Sequence, residues 1–526
     1  MPKSIFFLAT LAVTLSIFPT IYLATKAPTN TVFSLVHNNQ ADYYYYLSLM
    51  HQGYEGRWLL TSRSTPENFP PMFIQTFFAF LGHMAGIFSG DLALTYTVSR
   101  VILGFILLVL IYGIARRMLQ SYWQVLFACL LAYFGSAFWF FKGNSLVTYL
   151  PFWTEFDPVF RTTFLPHHLM GNIGVLASLV SLILYIESQG KKIKYLFLCI
   201  LFGLISGLSN PASLLNYGIT LAGAFPILLL HQSTKLRLFL GITYLGLAVC
   251  FGLTLFYFLS VRDAVFPWTT YRDLASTFDY QFPSWEYLAG MGFTAVLAII
   301  GVLVLVKEKK FSVTSCFILS WGITPFLSIF VLSNIFHIPN SHFFQSAHYI
   351  PLSLLASYGI GKIIQSLPNK RIKLVKVSLV VMCAIYFAVP WYFKIDAEIK
   401  RFGTHYFNIF LPKELFPVFD YLNRNTKPEE VVLSGNYLGS LIPAYTHNRA
   451  VVGHPENTYH LSEKIKDMNA LYKQDDPSVG QMIINKYHIS YIVFSLDAPS
   501  PNSTYTSNLH LQLVYQNTKL SLYQAR

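Results

Sequence analysis

Apolar runs of about twenty residues recur through the first three quarters of this chain, and each is long enough to cross a hydrocarbon layer of roughly 30 Å as a helix. Such segments fold as helices because lipid offers no partner for backbone N–H and C=O groups, so each segment must satisfy its own. The chain is therefore expected to be a polytopic membrane protein. Composition agrees: 54% of its 526 residues are hydrophobic and 12% charged, where a soluble chain carries about 25% charged residues. An ordinary cytosolic enzyme is excluded. Cys129, Cys199, Cys250, Cys316 and Cys383 all fall inside apolar runs, which leaves no disulfide framework and no thiolate metal site.

The formal net charge of +13 sorts by loop. Candidate spans are 4–24, 71–89, 94–115, 122–141, 167–187, 194–209, 212–231, 236–260, 287–306, 312–333, 346–366 and 374–393. Lysines and arginines gather at 116–117, 191–194, 235–237, 307–310 and 362–376, the loops expected on the cytoplasmic side. The charge is topology rather than a nucleic-acid footprint. Loops 142–166, 261–286 and 334–345 carry acids instead and are expected outside. With Lys3 inside and the first run read as an uncleaved span, parity makes 71–89 an interfacial or re-entrant element in the outer interface, whereas an outside N-terminus would make all twelve candidates full spans.

The expected fold is an all-α polytopic membrane domain, residues 1–393, with about eleven transmembrane helices. Its first outer loop, 25–93, carries interfacial helices, and its second outer loop is 142–166. A small extracytoplasmic α/β domain follows at 394–526. In that tail, helices are expected near 412–424, 460–474 and 477–487, and strands at 430–434, 450–453 and 490–496. The predicted location is the plasma membrane of a prokaryote.

Ionisable residues are nearly absent from the middle of the spans, which disfavours an ion-coupled path and points to a cleft at the outer interface. In the first outer loop Asp42 precedes Tyr43-Tyr44-Tyr45-Tyr46, so a carboxylate can sit at the water–lipid boundary and deprotonate an acceptor. The bland alternative makes Asp42 the cap of a helix starting at Tyr43 and the tyrosines an interfacial belt. The second outer loop brings Glu155 and Asp157 near Arg161, His167 and His168, a set that can bind a divalent cation or hold a phosphate. Loop acids and interfacial histidines without a ligand look the same. In the tail, Gly453-His454-Pro455-Glu456-Asn457 reads as a strand-end loop exposing His454 and Glu456, or as a turn held by Gly and Pro.

This layout resembles the GT-C class of integral-membrane glycosyltransferases, the polyprenyl-phosphate-sugar-dependent enzymes related to protein mannosyltransferases, aminoarabinose transferases and oligosaccharyltransferases. The shared features are an inside N-terminus, an acid soon after the first span, a Pro70-Pro71 step, a second outer acid pair and an outer C-terminal domain. The resemblance makes Asp42 the expected catalytic or acceptor-binding carboxylate, Glu155 and Asp157 the second acidic motif, and Pro166-His167 the step opening the next span. It also allows a divalent cation, Mg or Mn, held by Asp42, Glu155 and Asp157. Two stretches depart from it. Asn340 to His348 lacks the arginine that relatives often use for the lipid phosphate, so His342, His348, Arg57, Arg63, Arg161, Arg262 and Arg272 become the alternatives. Ser209-Asn210-Pro211-Ala212 stands where relatives often have a His-Pro step.

The implied activity is transfer of a sugar from a polyprenyl-phosphate-linked donor to an acceptor on the outer face, with inversion. The acceptor class, whether glycan, lipid or protein, stays open. A transporter or flippase of lipid-linked glycans would need the same groove but no catalytic acid, and a non-catalytic assembly protein would need neither.

Overall fold

The computed structural model describes residues 1–150, 156–231, 234–275, 277, 279–309, 311–403, 408–495 and 501–526. Among these, eight helices are long and apolar enough to cross a bilayer, including Lys3–Thr25, Leu92–Met118, Pro166–Glu187, Ser284–Glu308 and Asn369–Arg401. The chain is a multi-pass membrane protein. Three other expected spans are helices of fewer than eighteen residues: Tyr122–Phe134, Ile193–Ser209 and Tyr349–Gln365. Segment 71–89 contains the helix Thr76–Phe88, whose thirteen residues rise about 20 Å.

The span expected at 122–141 is corrected. Its helix starts at a capping box, in which Ser121 and Gln124 satisfy each other's backbone N–H groups, and it ends at Gly135. Trp139–Lys142 then pairs antiparallel with Ser145–Thr148. Aromatic strand formers around a Gly143-Asn144 turn favour a hairpin there over another helical turn.

Contacts divide the chain into two compact units, and the division does not fall at 393/394. The first unit is residues 1–19, 99–259 and 275–398. Its apolar core is built by packed helix pairs, among them Pro166–Glu187 with Ile193–Ser209 and Ser284–Glu308 with Tyr349–Gln365. The last two meet at glycines: a Cβ on Gly301 would lie 1.9 Å from the Leu355 carbonyl oxygen, and one on Gly359 would lie 2.6 Å from Gly301 Cα. Asn369–Arg401 differs from the rest, with only 6% of its apolar window covered by protein, which suits a face turned to lipid.

The second unit is residues 20–98, 260–274 and 399–526, so segment 25–93 and the tail share one body. Its five-stranded sheet runs Arg449–Ala450, Val431–Leu433, Ile489–Phe494, Ser521–Ala525, Leu511–Gln516. The first three strands are parallel and the last two join antiparallel. The helices Leu461–Lys473 and Pro477–Tyr487 form as expected, and Asn436–Tyr445 is an additional one. Thr31–Phe33 from segment 25–93 pairs with Phe410–Pro412 from the tail.

The helix Gln40–Tyr54 lies inside this second unit, packed against Thr76–Phe88 and Asn436–Tyr445. Tyr43, Tyr44, Tyr45 and Tyr46 are buried, between 1% and 8% exposed. The tyrosines are therefore core rather than a belt at the headgroups, because the tail covers the face that would otherwise meet lipid or water.

Candidate active site

Asp42 occupies the first turn of the Gln40–Tyr54 helix, whose N-cap is Asn39 at φ 53°. The helix thus begins three residues before Tyr43, and Asp42 is not its cap. A carboxylate in the first turn is favoured by the positive end of the helix dipole. Its side chain is 38% exposed while the four residues after it are buried. Asn39 Nδ2 donates to Asp42 Oδ2 at 2.7 Å, and His454 Nε2 lies 2.9 Å from Asp42 Oδ1.

His454 reaches Asp42 from the loop that leaves the carboxyl end of Arg449–Ala450, the edge of a parallel sheet where α/β folds concentrate function. The loop is pinned from both sides. Gly453 N donates to Thr458 Oγ1, Thr458 Oγ1 donates to Ser64 O, and Ser62 Oγ donates to Asn457 O. The His454 side chain is 2% exposed, and Tyr45 packs on its ring at 5.3 Å.

The tautomer follows from the other ring nitrogen. Asn457 Nδ2 donates to His454 Nδ1 at 2.8 Å and to Tyr271 Oη at 2.8 Å, which leaves the ring proton on Nε2, aimed at Asp42. Glu456 Oε2 stands 3.1 Å from Nδ1, so a second proton on the ring would also meet a carboxylate. Burial, and after it the Asp42 charge, hold the Tyr45 and Tyr46 hydroxyls well above the usual phenol range. Burial also raises Tyr271, with Tyr45 and Asp42 adding to it. These phenols stay neutral around a carboxylate that keeps unfilled acceptor lone pairs on an exposed side.

The other candidate residues divide. Glu155 lies outside the described residues. Asp157, in the first unit, is buried: its Oδ1 accepts from Val159 N and Phe160 N, capping the short helix Phe160–Thr163, and its Oδ2 meets Lys394 Nζ at 3.1 Å. Arg161 stacks on Tyr349 at 4.4 Å in a small recess also lined by His168 and Asn172. His167 is buried with its ring against His168. His342 is half-buried in the turn Asn340–Phe343, and its carbonyl accepts from Asn216 Nδ2. His348 Nε2 donates to Gly322 O and Nδ1 accepts from Tyr287 Oη, so both ring nitrogens are engaged.

Arg63 and Arg57 belong to an ion network in the second unit. Arg63 is fully buried, with two N–H groups on Glu55 at 2.6 and 2.8 Å and others on Glu429. Arg57 pairs with Glu429 at 2.7 Å, and Arg449 with the same carboxylate at 2.6 Å.

Asp157 faces an ammonium, Asp42 faces an imidazole N–H, and no three His, Cys, Asp or Glu side chains converge among the described residues. Sequence reasoning picked out Asp42, His454 and Glu456 separately but missed Asn457 and Tyr271. The Gly-His-Pro-Glu-Asn loop was the signal at hand for Asn457.

Neither a protein-family model nor a curated protein matches the sequence. Solved structures do, with GT-C glycosyltransferases among them. AglB, the oligosaccharyltransferase of Archaeoglobus fulgidus in complex with an inhibitory peptide and a dolichol-phosphate, superposes at TM-score 0.57 and 14% identity, covering 94% of this chain and 70% of that one. ArnT of Cupriavidus metallidurans, bound to undecaprenyl phosphate, superposes at TM-score 0.52 and 11% identity, covering 98% and 97%. The arabinofuranosyltransferase AftD from Mycobacteria matches at TM-score 0.56 and 11% identity over 98% of this chain, which spans 40% of AftD. The fold is the GT-C fold, as the layout of loops and acids implied.

Proposed function

We propose that the protein is a membrane glycosyltransferase that moves a sugar from a polyprenyl-phosphate-linked donor to an acceptor on the outer face of the membrane. The observation that carries this reading is Asp42, a half-exposed carboxylate fixed by Asn39 and His454 on a GT-C fold. The dolichol-phosphate of the AglB complex and the undecaprenyl phosphate of the ArnT complex support the donor class.

In the proposed reaction, an acceptor O–H or N–H donates to Asp42 and aligns its lone pair with the anomeric carbon. The new glycosidic bond forms as the bond from that carbon to the phosphate oxygen breaks. The polyprenyl phosphate leaves with the electron pair, and the acceptor proton passes to Asp42. A single displacement inverts the anomeric centre and needs one base. His454 holds the carboxylate in orientation, and Asn457 holds the tautomer of His454. The leaving phosphate needs a cationic or hydrogen-bonding partner, and a guanidinium suits its charge. The chemistry of Asp42 and His454 needs no metal-routed step.

The test supplies labelled lipid-linked sugar to membranes holding wild-type or Asp42→Asn protein. Transfer by the wild type and its loss in the variant are expected. Equal incorporation would remove Asp42 from the mechanism, and movement of labelled lipid across proteoliposomes without covalent transfer would replace the enzyme with a flippase.

A further inference from the structure

A second cavity lies in the unit that holds Asp42, at the other end of the same helix. It has a volume of about 550 Å³, within the range of small-molecule sites, and His51, Tyr54, Glu55, Arg57 and His447 line it. Neither the proposed transfer chemistry nor the helix packing uses it.

Its charge is set by the ion network behind it. Three guanidinium groups, Arg57, Arg63 and Arg449, share two carboxylates, Glu55 and Glu429, which leaves one positive charge in excess. Of the three side chains, Arg63 is 0% exposed and Arg449 5%, while Arg57 is 37% exposed. The excess charge is therefore presented by Arg57, on the cavity wall. Two of the Arg57 nitrogens already face carboxylates, Nη1 on Glu429 at 2.7 Å and Nε 3.4 Å from Glu55, and its remaining N–H groups can donate to a ligand carboxylate.

The remaining walls suit a ring with one apolar face and a hydroxyl rim. Tyr54 is 48% exposed, so its ring offers a stacking surface. Glu55 supplies an acceptor. His447 Nε2 donates to Thr426 O at 3.1 Å, which leaves Nδ1 as a second acceptor for a hydroxyl.

We propose that this cavity binds a carboxylate-bearing pyranose, its ring stacked on Tyr54 and its carboxylate paired with Arg57. The site is separate from the transfer chemistry and does not depend on that reading.

The experiment uses full-length protein in nanodiscs and ligand-observed NMR with three probes: methyl glucuronide, methyl glucoside and acetate. Methyl glucuronide is expected to bind about tenfold more tightly than either of the others. Tyr54→Ala and Arg57→Gln should each weaken it by about tenfold, with melting curves confirming the fold, and Asp42→Asn should leave it unchanged. Tyr54→Ala keeps the test decisive if Arg57→Gln disturbs the ion network, because truncating a half-exposed ring spares the core. Equal binding of the two glycosides, acetate binding as tightly as the glucuronide, or indifference to Tyr54→Ala would overturn the proposal.

Discussion

His454 Nε2 lies 2.9 Å from Asp42 Oδ1, across 412 positions of sequence. The bond joins segment 25–93 to the tail within one compact unit, and under the proposed function the two residues have different duties: Asp42 meets the acceptor, while His454 orients Asp42.

Kinetics can separate those duties. Asp42→Asn keeps the shape but loses the base, and transfer should fall by about 10²–10⁴ in kcat. His454→Gln should cost less and act through orientation, lowering kcat about tenfold with KM for the donor unchanged. Because Asp42 and His454 act as a unit, the double variant should be little worse than Asp42→Asn alone. A double variant that multiplies the two losses would show that His454 works independently of Asp42.

Asp157 carries a cap and half of an ion pair, and two substitutions tell these apart. Asparagine still caps a helix, so Asp157→Asn should retain the turn at Phe160–Thr163 and lose only the contact with Lys394. Asp157→Ala loses both and should be the less stable by about 1 kcal/mol. Melting temperatures check the order. A larger loss in asparagine than in alanine would mean that the cap is not what Asp157 supplies.

Much of this architecture could be read from residues, and what could not has a physical cause. The spans follow from apolar runs, and the tail helices at 461–473 and 477–487 follow from 3.6-residue periodicity, both of which are local signals. Tyr43 to Tyr46 misled because an aromatic run on an amphipathic segment looks alike whether lipid, water or another helix covers it. The covering helix, Asn436–Tyr445, is almost 400 residues away and has no local mark tying it to Tyr44. The same distance hid the Asp42–His454 bond, although each residue stood out in its own loop. The strand at 139–142 was hidden at the end of a run apolar enough to pass for a span, and its partner at 145–148 lay in the loop expected after it.

The buried network predicts a large asymmetry among the arginines. Removing Arg63 takes the fully buried guanidinium and its hydrogen bonds away from Glu55 and Glu429, which keep Arg57 and Arg449 as partners, and should cost about 1.5–3 kcal/mol. Arg57→Ala removes a side chain that is 37% exposed and should cost under about 1 kcal/mol. Denaturant unfolding of the two variants measures the difference. Similar losses would mean that burial of the Arg63 guanidinium does not set its contribution.

The crossing of Gln40–Tyr54 over Thr76–Phe88 should tolerate no side chain at its centre. A Cβ on Gly53 would lie 2.2 Å from Ala79 O, and one on Gly82 would lie 1.9 Å from Met50 O; both contacts are backbone, which cannot rotate away. Gly82→Ala should force the helices apart at a cost of about 1–3 kcal/mol, and activity should fall with it because Asp42 rides on the displaced helix. Wild-type melting and transfer in Gly82→Ala would show that the crossing can slide.

Acid should loosen the second unit before it protonates the carboxylates. Burial holds the His51 imidazole at about 4, against an ordinary 6.5, with Glu55 opposing that shift and Arg63 adding to it. A histidine whose folded value is lowered binds its proton more readily when unfolded, so stability rises with pH across the interval between the two values. The melting temperature should therefore be flat above about pH 7 and fall as pH drops from 6.5 toward 4. His51→Gln removes one titrating group and should make the fall across that interval shallower. Below it, loss continues in both proteins as Glu429 protonates, since Arg63 and its neighbours hold that carboxyl below its usual range against the pull of burial. A wild-type profile that stays level from pH 6.5 to 4 would mean that His51 takes its proton without disturbing the fold.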